Sequence, residues 1–282
     1  MHGTRIGWIG LGRMGLPMAQ RVRAAGWPLS VWARRSDTTA ALRDAGAAVA
    51  STPEDLARGC ACVVTMVGGP SDVDALHALL MPAAAPGTLF IDMSTAAPAT
   101  AEAAQDRAAR HGHTALDAPV TGGVAGAQRG TLMAFVGGEA TALERARPLL
   151  EVLCQRLVPC GAAGSGYRTK LVNQTLMAGA LMGVADGLRL ARAAGLEADF
   201  LRQALAGGTG ASTILDAYLP RMLSGDGPVS FTLALLRKDL RLARDEAAAL
   251  GLPAPLLDAA LAAVDGAIAR HGAEAGLQVL AR

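Results

Sequence analysis

In "GYRTKLVNQTLM", residues 166–177, a lysine falls inside an apolar run. Helical spacing puts Lys170, Asn173, Gln174 and Met177 on one face, since residues three, four and seven apart stack along a helix. Leu171, Val172, Leu176 and Ala178 surround them. The ammonium has two readings in such company. Its stem can cross apolar surface while the head stays in water. Alternatively, partial burial lowers its pKa and equips it to exchange a proton near neutral pH.

A second constellation opens the chain, in "RIGWIGLGRMGLPMAQRVRAAGW". Gly10, Gly12 and Gly15 form G-x-G-x-x-G, with Leu11, Arg13 and Met14 between them. The flanks predict a strand over Arg5–Ile9, a helix from about Met14 to Ala25, and a stop at Gly26. In that context the first glycine permits a tight turn and the second a close backbone approach to a pyrophosphate. The third lets helix and strand pack. The helix N-terminus adds free N–H groups and the positive end of its dipole, so the motif predicts a bound dinucleotide.

Which dinucleotide is decided after the second predicted strand, "PLSVWA", where Arg34, Arg35 and Ser36 stand in place of the acid that holds a ribose 2′-hydroxyl. Paired guanidiniums grip a 2′-phosphate, which favours NADP(H) over NAD(H).

Further strands are expected at "CVVTMV", "TLFIDM", "TALDAPV" and "LMAFVGG", separated mostly by helical stretches. The alternation predicts an α/β, Rossmann-type doubly wound domain with a parallel sheet, over residues 1–164. Its ligands belong at the carboxyl ends of the strands, in the loops Val67–Asp72, Ser94–Pro98 and Thr121–Gly126. Past Gly166 strand signals stop, and an all-α domain is expected over 165–282. It starts with a long interdomain helix, 165–194, that ends at Gly195. Later helices are expected at about Asp199–Ala206, Thr213–Leu223, Phe231–Leu250 and Ala254–His271. Gly179, Gly183 and Gly187 make a small-residue stripe suited to core or subunit packing. A homodimer or homotetramer is the expected assembly.

A net charge of +2, from 26 basic and 24 acidic residues, argues against a nucleic-acid or anionic-membrane surface. Cys60, Cys62, Cys154 and Cys160 lack metal-ligand spacing, so no metal centre is expected. The apolar run from Leu171 to Val184 is too short to cross a bilayer, and "RIGWIG" follows the start without an export signal. The expectation is a soluble, cytoplasmic protein.

Four motifs, in order along essentially the whole chain, resemble the β-hydroxyacid dehydrogenase family, which includes 3-hydroxyisobutyrate dehydrogenase and tartronate semialdehyde reductase. They are "IGWIGLGRMGLPMA", "DAPVTGG" (Asp117–Gly123), "GAAGSGYRTKLVNQ" (Gly161–Gln174) and "RKDLRLA" (Arg237–Ala243). The resemblance implies hydride transfer between nicotinamide and a small carboxylate bearing a β-hydroxyl or β-carbonyl group. It implies Lys170 as acid/base, Thr121, Gly122 and Gly123 as holders of the substrate carboxylate, and Asn173 and Gln174 as orienting groups. Met66, Val67, Ser94, Thr95 and Lys238 would bear on the cofactor. Two departures stand out: Thr121 replaces the usual serine, and Gln174 stands where the family often has asparagine. Chemistry agrees with these roles, because hydride addition to a carbonyl leaves an alkoxide that needs a proton. Imine reductases resemble the chain across the glycine motif but usually lack the lysine. The 6-phosphogluconate dehydrogenases share the architecture but carry a larger helical domain. A catalytically inactive nucleotide-binding scaffold is the remaining rival.

Overall fold

The computed structural model describes residues 3–282, apart from the side chains at 198, 199 and 202. The chain divides into two compact units, Met1–Lys170 and Leu171–Arg282.

The first unit alternates strand and helix. In chain order it runs β1 (Ile6–Ile9), α1 (Gly15–Ala24), β2 (Leu29–Trp32), α2 (Ala40–Asp44), β3 (Ala48–Val49), α3 (Pro53–Arg58) and β4 (Cys62–Thr65). It continues through α4 (Pro70–Ala83), β5 (Leu89–Asp92), α5 (Pro98–Arg110), β6 (Thr114–Asp117) and β7 (Val120–Thr121). Last come α6 (Gly123–Arg129), β8 (Leu132–Gly137), α7 (Ala140–Leu153) and β9 (Cys154–Gly161). Among the described residues the strands form one sheet in the order β3-β2-β1-β4-β5-β6-β8-β7, with β9 paired to β8.

Alternate residues along each strand face opposite sides, and both sides are covered. Trp8, Val31, Val64 and Ile91 pack with α1 and α7, through Met18, Val22, Leu149 and Leu150. Ile9, Val63 and Phe90 pack on the other side with Leu56, Leu80 and Ala104 of α3, α4 and α5.

The pairings from β3 to β6 are parallel, as a doubly wound domain requires. The expectation of a parallel sheet fails at β8, which runs antiparallel to β6 and β7. The reason is length. Only α6 and its flanks join β7 to β8, and a parallel crossover takes about a dozen residues or more. Two strands went unread: β3 is only two residues long, and β9 follows α7 with no intervening loop. β9 contains Pro159 and is exposed at Gln155, Arg156 and Pro159.

The second unit is helical. The unit boundary falls within α8 (Ser165–Ala193), which is followed by α9 (Ala198–Leu205), α10 (Thr213–Ser224), α11 (Leu233–Ala249) and α12 (Pro255–His271). α8 ends two residues before Gly195, whose φ of 70° supplies the left-handed turn. Ser212 and Thr232 cap α10 and α11 by accepting from the backbone N–H groups of Leu215 and Leu235. Leu181, Leu188, Leu236, Leu240, Leu261 and Val264 build the core. A 3-10 turn at Leu277–Ala281 closes the chain, its carbonyls accepting from Arg189 and Arg192. The glycine stripe has a mixed environment: Gly179 faces Leu256, whereas Gly183 and Gly187 face open space. Among the described residues no helix is long and apolar enough to cross a membrane.

Candidate active site

Strand register brings the chemistry of the first unit to one edge. Ile9, Thr65, Asp92 and Asp117 are aligned neighbours at the carboxyl ends of β1, β4, β5 and β6. The loops that follow these residues carry the motifs.

The glycine turn leaves β1 at Gly10, whose φ of 98° is left-handed and whose missing Cβ would overlap the Met66 carbonyl. A Cβ on Gly15 would overlap the Gly10 carbonyl, so the third glycine is the packing glycine. A Cβ on Gly12 would meet nothing within 4 Å. The protein thus leaves space at the one glycine where a phosphate must approach. α1 begins just beyond, with no acid in its first turn and no side-chain cap on Met14. The residues present therefore fit a dinucleotide pyrophosphate. Leu11 and Arg13 complete the turn, Leu11 buried and Arg13 exposed.

Arg34, Arg35 and Ser36 follow β2 and are all exposed. Arg34 is 79% exposed and lies 3.6 Å from Asp72, a surface pair that leaves its guanidinium available. Met66 and Val67 leave β4 one residue beyond its end, and the Val67 N–H donates to Ser94 Oγ at 2.8 Å. Ser94 is buried and Thr95 half-buried. Thr121 ends β7, and Gly122 and Gly123, at φ 125° and 63°, turn the chain into α6. Both glycines are exposed.

Between these loops lies a buried acid cluster to which the motifs assign no role. Asp92 accepts from the hydroxyls of Thr65, Ser94 and Tyr167 and from the Ser94 N–H. Asp117 accepts from the N–H groups of Gly164 and Tyr167. Burial raises the pKa of both carboxyls, that of Asp117 to about 6. Burial, with Asp92 alongside, also holds the Tyr167 phenol well above its usual value. Asp92, Asp117, Tyr167 and His77 border a cavity of about 10 Å³. The available sequence signal was weak: single acids ending successive apolar strands.

Lys170 lies on α8 one turn beyond Tyr167 and is 6% exposed. The snorkelling reading, which needs a head in open water, does not describe it. In the second unit, Asn173 Nδ2 donates to Gln174 Oε1 at 3.0 Å, and Gln174 Nε2 donates to Asp239 Oδ2 at 2.6 Å. Lys238 Nζ lies 2.9 Å from Asp239 Oδ1, with Lys238 26% exposed and Asp239 buried. The pair is therefore no surface ion pair. Asp239, absent from the expected site, ties Gln174 to Lys238.

The family described as "NAD binding domain of 6-phosphogluconate dehydrogenase" matches residues 5–161. The family described as "NAD-binding of NADP-dependent 3-hydroxyisobutyrate dehydrogenase" matches residues 164–282. The NAD-dependent L-serine dehydrogenase of Pseudomonas aeruginosa is 36% identical over 267 residues, covering 91% of this chain and 90% of its own. The Mycobacterium tuberculosis 3-hydroxyisobutyrate dehydrogenase solved with L-serine superposes with a TM-score of 0.91 at 33% identity, over 99% of this chain and 98% of its own. Psf3, solved in complex with NADP+ and 2-OPP, superposes at 0.90 with 29% identity, over 98% of each chain. An imine reductase of Streptomyces aurantiacus shares the fold at a TM-score of 0.69 and 24% identity, over 98% of each chain. With both halves matched and its glycine turn intact, the chain belongs to the β-hydroxyacid dehydrogenase family of NAD(P)-dependent enzymes.

Proposed function

We propose that the chain interconverts small β-hydroxy acids and the matching β-carbonyl acids with NADP(H), using Lys170 as general acid/base. The observation that carries this reading is the burial of Lys170 on the α8 face next to Tyr167. The family resemblance and the L-serine and 3-hydroxyisobutyrate named for relatives support the substrate class. Residues 1–164 form the proposed dinucleotide domain and 165–282 the proposed substrate domain.

The backbone from Gly10 to Gly15 holds the pyrophosphate, and Arg34, Arg35 and Ser36 hold a 2′-phosphate. Met66, Val67, Ser94, Thr95 and Lys238 complete the cofactor contacts. When bound, the nicotinamide supplies or accepts the hydride. Thr121 Oγ1 and the N–H groups of Gly122 and Gly123 bind the substrate carboxylate, with Asn173 and Gln174 orienting the substrate. In reduction Lys170 donates its proton to the forming alkoxide; in oxidation the neutral amine removes the hydroxyl proton. A buried ammonium also stabilises negative charge developing on that oxygen.

Lys170→Ala tests the assignment. Turnover should fall by roughly 10²–10⁴-fold, the usual contribution of a proton-transfer group. NADPH binding, followed by fluorescence, should hardly change. A variant that keeps more than about a tenth of the wild-type rate removes Lys170 from that role. Rates with NADP+ and NAD+ on L-serine, 3-hydroxyisobutyrate and tartronate-type substrates fix substrate and cofactor. Activity on cyclic imines alone would reassign the chain.

A further inference from the structure

We propose that Asp117, supported by the Asp92–Tyr167 pair, is a positioning clamp that fixes the first turn of α8 and thereby the place of the Lys170 ammonium. The inference rests on Lys170 being the acid/base.

The first N–H groups of a helix lack partners within it, and a nearby side chain commonly caps them. α8 is capped from far along the chain. Asp117 Oδ1 accepts from Gly164 N–H at 2.9 Å and Oδ2 from Tyr167 N–H at 2.8 Å, across 47 and 50 residues. With one bond on each oxygen, the carboxylate holds the turn at two points. A negative group also suits the positive end of the helix dipole.

Packing leaves the turn little room to shift. A Cβ on Gly166 would lie 2.5 Å from the Phe135 carbonyl oxygen and 2.7 Å from both the Asp117 carbonyl and Oδ2. The helix backbone therefore rests directly on the ends of β6 and β8. The Tyr167 hydroxyl donates to Asp92 Oδ1 at 2.5 Å, and Asp92 also binds Thr65 and Ser94. Ser94 in turn accepts from Val67 N–H. One network thus links the loops after β4 and β5 to the helix that carries Lys170, three residues past Tyr167.

A buried carboxylate is a poor way to gain stability, because desolvation opposes it. A geometric role accounts for its presence here. Proton donors tolerate little misplacement, and a shift of about 1 Å can cost on the order of 10²-fold in rate.

The test uses the full chain with Asp117→Asn and Tyr167→Phe. Asparagine has one acceptor where two N–H groups converge, so its amide nitrogen must face a donor. With NADP+ and 3-hydroxyisobutyrate or L-serine, kcat per folded enzyme should drop about 30-fold or more for Asp117→Asn, within the range set by misplacement. Tyr167→Phe should lose about 5-fold or more, on the same ground. KM values should stay within about threefold, and the solvent deuterium isotope effect on kcat should rise as proton transfer limits turnover. In the protein alone, amide exchange over residues 164–170 should quicken while the later turns of α1 exchange as in wild type.

A lower melting temperature with unchanged kcat per folded enzyme and an unchanged isotope effect would reduce the cluster to scaffolding and overturn the clamp. If Asp117→Asn does not fold, Tyr167→Phe decides, since it keeps both bonds to Asp117 and with them the fold, while removing the tie to Asp92 that the clamp needs to hold Lys170 in place. Lys170→Ala separates the two ideas. An inactive Lys170→Ala beside fully active clamp variants sinks the clamp only, whereas an active Lys170→Ala removes the acid/base and the clamp's purpose with it.

Discussion

Gln174 engages both ends of its amide, receiving Asn173 on its oxygen and giving its nitrogen to the buried Asp239. An asparagine, common in the family at this position, is one methylene shorter and would sit farther from Asp239. The departure noted in the sequence is therefore a structural link: it joins α8 to α11 and orients Asn173. Truncation would leave part of a buried carboxylate unpaired, which costs about 1–3 kcal/mol. Gln174→Ala should accordingly lower the unfolding free energy by that amount, read as a lower urea midpoint with an unchanged m-value. A midpoint equal to wild type would show that Lys238 alone satisfies Asp239.

At the scale of elements, the glycine turn separates folding from binding. Gly10 and Gly15 are required by the backbone, while Gly12 faces space that the protein does not fill. Gly12→Ala should leave the stability of the protein alone within about 0.5 kcal/mol, as at other sites without contacts. It should weaken NADPH binding at least tenfold in a fluorescence titration, because the added methyl occupies the phosphate's approach. Unchanged affinity would move the pyrophosphate elsewhere. This turn was legible in sequence because its constraints act over six neighbouring residues. The long helix and the four after it were legible from apolar periodicity, with ends within about two residues. The acid cluster was not legible: Thr65, Asp92 and Asp117 are remote in sequence and meet only through strand register. Nothing local to Tyr167 signals a phenol that reaches a carboxylate 75 positions away. The antiparallel turn at β8 was hidden for a similar reason, because hydrophobic pattern does not encode strand direction.

For the molecule as a whole, two buried groups set opposing responses to acid. Among the described residues neither His77 ring nitrogen has a hydrogen-bond partner, and burial lowers its pKa from 6.5 to about 4. The native chain then binds fewer protons here than the unfolded chain. The contribution is full above pH 6.5 and is lost as pH falls toward 4. Asp117 moves the other way, from 3.8 to about 6. Its contribution is full below pH 3.8 and is lost as pH rises through 6. Each is on the order of 3 kcal/mol over its window, and Asp92, whose carboxyl pKa burial also raises, adds to the Asp117 side. His77→Leu should leave the Asp117 trend exposed: between pH 6.5 and 4 the variant should gain on wild type by on the order of 3 kcal/mol in urea unfolding. Parallel profiles for the two proteins would rule out His77 as the balancing group.

The two borders of the sheet bear on how copies of this chain can meet. A long border strand with unused N–H and C=O groups is a template for adding a strand from another molecule, the first step toward fibrils. Here one border is β3, two residues long, and the other is β9, interrupted by Pro159, which has no N–H, and studded with Gln155 and Arg156. Neither offers a run of backbone groups for a foreign strand to zip along. Association that extends the sheet is disfavoured at both ends.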